Sequence, residues 1–181
     1  MTGVRFGILG CGAISATHAQ AIGLVPGARV TAAASRDPEK ARAFARTWDC
    51  APCDSLEAML ERPDVDTVVI GTPSGLHAAQ GIAAARAGRH VVVEKPLDVT
   101  LERADALISA CRTAGVTLSV ISQFRFLDAV VKTRAAVASG RFGTPTMGSA
   151  YVKWYRPQSY YDGAAWRGTF ALDGGGCLIN Q

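Results

Sequence analysis

A lysine set between an apolar run and a proline is held stiffly, and this chain has one in His90-Val91-Val92-Val93-Glu94-Lys95-Pro96. At the end of a buried strand, Lys95 can hydrogen-bond a substrate hydroxyl or take its proton. The competing reading is a surface lysine paired with Glu94. A second stretch with chemical content opens the chain: Val4 to Ser15, VRFGILGCGAIS, where a short apolar strand runs into Gly10-Cys11-Gly12-Ala13-Ile14-Ser15. Gly10 allows a tight turn, Gly12 lets the backbone approach a pyrophosphate, and the third position lets helix and strand pack. An anion there meets the unpaired N–H groups of a helix N-terminus. Ser15 stands where Gly or Ala is usual, so an ordinary βα turn with no ligand is the alternative. A third cluster is Gly71-Thr72-Pro73, with His77 a few residues on.

The end of the second strand selects between dinucleotides. An acidic residue about 20 positions past the phosphate turn grips the adenosine ribose and favours NAD. Here Ser35 and Arg36 hold that place. A hydroxyl and a guanidinium bind a 2′-phosphate that a carboxylate would repel, so the residues favour NADP. Alternatively Arg36 stacks on the adenine or faces solvent, and Asp37 serves the ribose. His77 could touch the cofactor, although a histidine in a helix's first turn usually packs or caps; His18 and, more strongly, His90 read the same way. Trp154, Tyr155, Trp166 and Arg167 form either a polyol site or the core face of a sheet.

The five cysteines are odd in number and irregular in spacing, which predicts free thiols. Cys50-Ala-Pro-Cys53 spells a C-x-x-C, but no second pair accompanies it, and it reads as two buried thiols on a short strand with no metal site.

The elements that position these residues alternate. Strands are predicted at Val4 onward, Arg29 to Ala34, Cys50 to Cys53, Asp66 to Ile70, His90 to Val93 and Thr117 to Ile121. Helices are predicted over Ala13 to Val25, Pro38 to Trp48, a segment capped by Asp54 and running to Glu61, Leu76 to Ala87, and Thr100 to Ala114. Asp37-Pro38 is a helix start, and Gly88 and Gly115 are stops. This is the pattern of an α/β, doubly wound parallel sheet whose ligand lies beyond the carboxyl ends of the strands. The character changes at Gln123. A helix over Phe126 to Ser139 is followed by Thr146 to Tyr155, an alternating, aromatic-rich strand of a different kind. Residues 157 to 175 read as loop, and a helix begins at Gly176. The predicted division is 1–122 for nucleotide binding and 123–181 for the start of a second domain.

The chain has 181 residues, 49% of them apolar, with 19 Lys plus Arg against 15 Asp plus Glu for a formal charge of +4. That length buries a core, and scattered basic residues suit an anionic cofactor better than a nucleic-acid groove. No run approaches a membrane span and no secretory leader pattern is present, so the expectation is a cytoplasmic protein without nucleic-acid or membrane partners.

Together the motifs resemble the Gfo/Idh/MocA family of NAD(P)-dependent oxidoreductases, the group of glucose-fructose oxidoreductase and inositol dehydrogenase. GILGCGAIS, SRDPEKARAFA, VVIGTPSGLHA, HVVVEKPLDVT, QFRF, GTP, SYYDGAAWRGTFALDGGG and CLINQ carry the resemblance. It implies a Rossmann domain, then an α/β domain with an open antiparallel sheet that carries substrate specificity and homo-oligomer contacts. It implies hydride transfer between nicotinamide and a sugar, inositol or related polyol. By that pattern Gly10, Gly12, Ala13 and Ile14 meet the pyrophosphate, and Ser35 and Arg36 the adenosine ribose or its phosphate. Thr72, Pro73, His77, Glu94, Pro96 and Gln123 lie along the rest of the cofactor, with Trp166 and Arg167 reaching back to it. Lys95 stands at nicotinamide and substrate, and the Lys95-Pro96 bond is cis. Asn180 occupies the family's acidic catalytic position, and the family's catalytic histidine would fall beyond Gln181. The expectation is a partial chain of a protein roughly twice as long, able to bind cofactor and poor in turnover. A non-catalytic nucleotide sensor of the same fold, or an interaction fragment, are the other classes.

Overall fold

The computed structural model of the chain describes residues 3–175 and 177–180. Its strands are β1 (Val4–Leu9), β2 (Ala28–Ala34), β3 (Ala51–Cys53), β4 (Thr67–Ile70), β5 (His90–Glu94) and β6 (Leu118–Ile121). All pair in parallel, in the order β3-β2-β1-β4-β5-β6. The order reverses direction between β1 and β4, and such a switch point opens a crevice at the carboxyl ends of the strands.

The central strands are apolar because they are covered on both sides. All four residues of β4 are buried. Val68 and Ile70 face one core with Met59, Val65, Val93 and Leu107, while Val69 faces the other with Ile8, Ile22, Ala33 and Phe44. The same alternation decides the C-x-x-C. Cys53 packs into the first core and Cys50 against the second, so the two thiols lie on opposite faces of the sheet.

Helices α1 (Ala13–Gly23), α2 (Pro38–Trp48), α3 (Leu56–Leu60), α4 (His77–Arg86) and α5 (Leu101–Ala114) supply those covers. Their ends follow local chemistry. Asp37 Oδ1 accepts from the N–H groups of Glu39 and Lys40 at 3.0 and 3.3 Å. Thr100 caps α5, and Gly115, at φ +68°, ends it. The cap of α3 is one residue later than expected: Ser55 Oγ, not Asp54, accepts from Ala58 N at 3.1 Å.

The chain separates into two compact units, one of Met1–Ile121 with Trp166–Gln181 and one of Ser122–Ala165. Residues 166–181 thus group with the parallel sheet, where the sequence had placed them with 123–165. The second unit holds a 3-10 turn (Gln123–Phe126), helix α6 (Asp128–Ala138) and short helix α7 (Gln158–Asp162). The strand expected over 146–155, and with it the antiparallel sheet, is not formed: residues 145–157 carry no regular structure. A lone strand has no ladder partner for its N–H and C=O groups, so alternation alone cannot make one. Within this unit Phe124 and Trp154 meet edge to face at 5.9 Å, and the Arg156 guanidinium lies 5.2 Å from the Trp154 ring centre. The segment read as loop, 157–175, contains α7 and α8 (Phe170–Asp173), the latter capped by Thr169. A final turn, α9 (Cys177–Asn180), follows.

Candidate cofactor and active site

The glycine turn sits at the switch point. Gly10 takes φ +89°, and its N–H donates to Ala34 O at 2.8 Å. A Cβ on Gly10 would come 2.9 Å from Gly71 O, so only glycine fits without displacing backbone. At Gly12 a Cβ would meet nothing within 4 Å. That position opens outward, where a larger ligand could approach the backbone. Helix α1 begins at Ala13 with no side-chain cap and no acidic residue in its first turn, so its leading N–H groups are left for an anion. These features fit a dinucleotide pyrophosphate.

Ser15 is fully buried, and its Oγ has no hydrogen-bond partner. It packs against Gly71, where an added Cβ would lie 2.6 Å from that oxygen. The helix–strand contact made by the third fingerprint position is therefore intact, with the missing side chain on the strand-side partner. Beside the turn, Cys11 Sγ donates to Ala34 O at 3.6 Å, and burial pushes its thiol up to about 11. An unreactive thiol is the result.

At the end of β2, Ser35 is half-buried and Arg36 exposed. Ser35 Oγ accepts from Asp37 N at 3.2 Å, which leaves its O–H as a donor. Asp37 spends one carboxylate oxygen on capping α2.

The loops after β4 and β5 are tied together by His77, which is 1% exposed. Its Nδ1 lies 2.8 Å from Pro96 O and its Nε2 2.9 Å from Thr72 O. Thr72 Oγ1 donates to Gln80 Oε1 at 2.5 Å, and Lys95-Pro96 is a cis peptide. Asp98, also buried, accepts from Ala78 N at 2.8 Å and Val99 N at 2.7 Å, and so anchors the start of α4 to the same loop.

Glu94 does not pair with the Lys95 ammonium. One oxygen lies 2.8 Å from His18 Nε2, and the other accepts from the Lys95 backbone N–H at 3.1 Å. The ammonium donates instead to Asn180, to its backbone oxygen and, at 2.9 Å, to Oδ1. Asn180 Nδ2 in turn donates to Asp173, which is 2% exposed and also accepts from Gly168 N at 2.6 Å. Sequence reasoning assigned nothing to Asp173. Its only sequence cue is an acid directly after the apolar Phe170-Ala171-Leu172, which is equally the pattern of a helix end.

Of the remaining candidates, Trp166 and Arg167 lie together in the first unit, the guanidinium 5.9 Å from the ring centre. Gln123, Trp154 and Tyr155 belong to the second unit. His90 is exposed at the amino-terminal end of β5, where it accepts from Thr117 N at 3.0 Å. Among the described residues no group of three His, Cys, Asp or Glu is placed to hold a metal ion, and no helix is long and apolar enough to cross a membrane.

The glycine turn after β1 and the Lys95-Pro96 cis peptide after β5 both lie at the carboxyl ends of the sheet's strands. Residues 4–122 match the oxidoreductase family with the NAD-binding Rossmann fold. The chain belongs to the Gfo/Idh/MocA family. It is similar to the WlbA dehydrogenase of Bordetella pertussis, solved in complex with NADH and UDP-GlcNAcA, at 40% identity and TM-score 0.95 over 99% of this chain and 52% of that one. It is also similar to KijD10, a 3-ketoreductase from Actinomadura kijaniata solved with NADP, at 33% identity and TM-score 0.70 over 76% and 44% of the two chains. The dTDP-3,4-didehydro-2,6-dideoxy-alpha-D-glucose 3-reductase of Streptomyces violaceoruber is 38% identical over 77% of this chain and 41% of its own. The chain spans about half the length of these relatives. Family members thus bind NADH or NADP on the fold seen here.

Proposed function

We propose that the chain carries the cofactor half of an NAD(P)-dependent oxidoreductase that moves a hydride to or from a carbinol carbon of a sugar, inositol or related polyol. Within that class a nucleotide-linked sugar is the favoured substrate, supported by the likenesses to WlbA and to the dTDP-sugar 3-reductase. The observation that carries the reading is the open Gly12 position at the head of an uncapped α1, on the rim that also bears Lys95. The bound nicotinamide supplies the hydride acceptor or donor. The chain's own residues do the rest. Gly10, Gly12, Ala13 and Ile14 bring N–H groups to the pyrophosphate, and Thr72, Pro73, Glu94 and Pro96 shape the rim beyond it. Lys95 Nζ has three N–H donors; two are directed at Asn180, and a third serves a substrate oxygen.

Ser35 and Arg36 favour NADP, through a hydroxyl donor and an exposed guanidinium suited to a 2′-phosphate. Asn180, a neutral residue at the family's acidic position, favours a second reading: a nucleotide-binding sensor with the same fold. Assembly of the whole protein through its second domain remains part of the proposal by resemblance.

Calorimetric titration of the chain with NADPH, NADP, NADH and NAD tests the reading. The expected result is tighter binding of the phosphorylated pair by about ten-fold, one charge-assisted contact's worth, falling to parity in Arg36→Ala. A folded chain that binds none of the four overturns it.

A further inference from the structure

We propose that Asp173 is a positioning residue for Lys95, acting through Asn180. The proposal deepens the reading of Lys95 given above and rests on it. An asparagine side chain has two unlike ends, since Oδ1 only accepts and Nδ2 only donates. The Asp173 carboxylate only accepts, so the end that faces it is the amide NH2. Oδ1 is thereby turned to the Lys95 ammonium, which only donates and sits 2.9 Å away. Asp173 thus holds the amide from the end away from the lysine, so that its orientation is fixed at both ends.

The carboxylate itself is built in. Asp173 is 2% exposed, and the Gly168 N–H meets it at 2.6 Å from the loop that precedes α8. A buried carboxylate is costly unless it is hydrogen-bonded and faces positive charge. It accepts from Gly168 N and from the amide that touches Lys95, which links the carboxylate to the ammonium through Asn180. The other ionisable groups bordering Lys95 are Glu94, on the lysine's backbone N–H, and His18, on the far oxygen of Glu94. Lys95 therefore stands between a Glu94–His18 pair on its backbone side and an Asn180–Asp173 pair at its tip. The tip pair sets the direction of the ammonium.

The test compares the Lys95 and Asn180 side-chain signals of the isotope-labelled full 181-residue chain by NMR at one pH, in the wild type and in Asp173→Ala. Lys95→Arg supplies the lysine assignment. Removing the acceptor of the Asn180 amide is expected to shift both the amide and the Lys95 signals. A folded Asp173→Ala chain with unshifted Lys95 signals overturns the proposal. Should that variant not fold, the wild type decides. The Asn180 side-chain amide and the Lys95 signals are expected to move together as the Asp173 carboxyl titrates, and independent movement overturns the proposal. NADPH binding measured on the same samples keeps the two readings apart. A Lys95 shift without nucleotide binding would leave the positioning role and remove the cofactor reading, and nucleotide binding without the shift would do the reverse.

Discussion

The two units of the chain treat similar apolar residues in opposite ways. In the sheet unit, Ile8, Val68, Ile70 and Val93 are completely buried. In the second unit, α6 buries no residue at all, with Val131 49% and Val137 47% exposed, and the aromatic stretch beyond it leaves Trp154 55% exposed. Composition does not separate these regions. What separates them is a partner, because strands in a parallel sheet find helices on both faces within the same chain, whereas no residue of α6 or of 145–157 is buried.

The contrast can be broken by truncation. Ile70→Ala is expected to destabilise the chain by about 3 kcal/mol, the usual cost of hollowing a core, measured by urea unfolding. Val131→Ala should cost less than about 0.5 kcal/mol, as surface changes do. A loss above about 1 kcal/mol at Val131 would mean that this face of α6 is packed in solution, and the contrast would fall.

A smaller effect sharpens the comparison at the amino-terminal ends of β1 and β4, opposite the cofactor rim. There Arg5 holds Asp66 through its backbone N–H at 2.9 Å and its guanidinium at 2.9 and 2.6 Å. These bonds, chiefly from the Arg5 side chain, lower the Asp66 carboxyl from 3.8 to about 2. A folded-state pKa below the unfolded one stabilises above the unfolded value and is lost as pH falls through the folded one. The pair is one-third exposed, so solvent screening reduces its worth to about 1 kcal/mol. Unfolding midpoints of wild type and Asp66→Asn should therefore differ at pH 6 and converge between about pH 4 and pH 2. A difference that persists at pH 2 would place the effect elsewhere than in the charge.

The smallest change concerns Ser15. Its buried hydroxyl has no partner, and removing an unsatisfied group spares its desolvation cost. Ser15→Ala should leave stability unchanged or raise it by up to about 1 kcal/mol, read from the same urea curves. A clear loss would show that the hydroxyl has a partner in solution, such as a bound water.

Much of the sheet unit was legible because its signals are local. The strand–glycine–helix run at Val4 to Ser15, the Asp37-Pro38 start and the Gly115 stop each depend on neighbours a few residues apart, and all formed as expected. The strand over 146–155 failed for the converse reason. Alternation states which face a residue would bury, but the hydrogen bonds that make a strand must come from another segment.

What the sequence alone determined, then, is the order and type of the parallel-sheet elements and the residues that cap and turn them. It also placed Gly10, Gly12, Thr72 and Lys95 at strand ends, since backbone sterics and capping act within a few residues. Only the tertiary structure decided what those residues touch. Lys95 meets Asn180 across 85 positions of chain, His18 meets Glu94 across 76, and His77 bridges to Pro96 across 19. Such pairings depend on which buried donors and acceptors must satisfy one another once the chain closes, and spacing along the sequence carries no record of that.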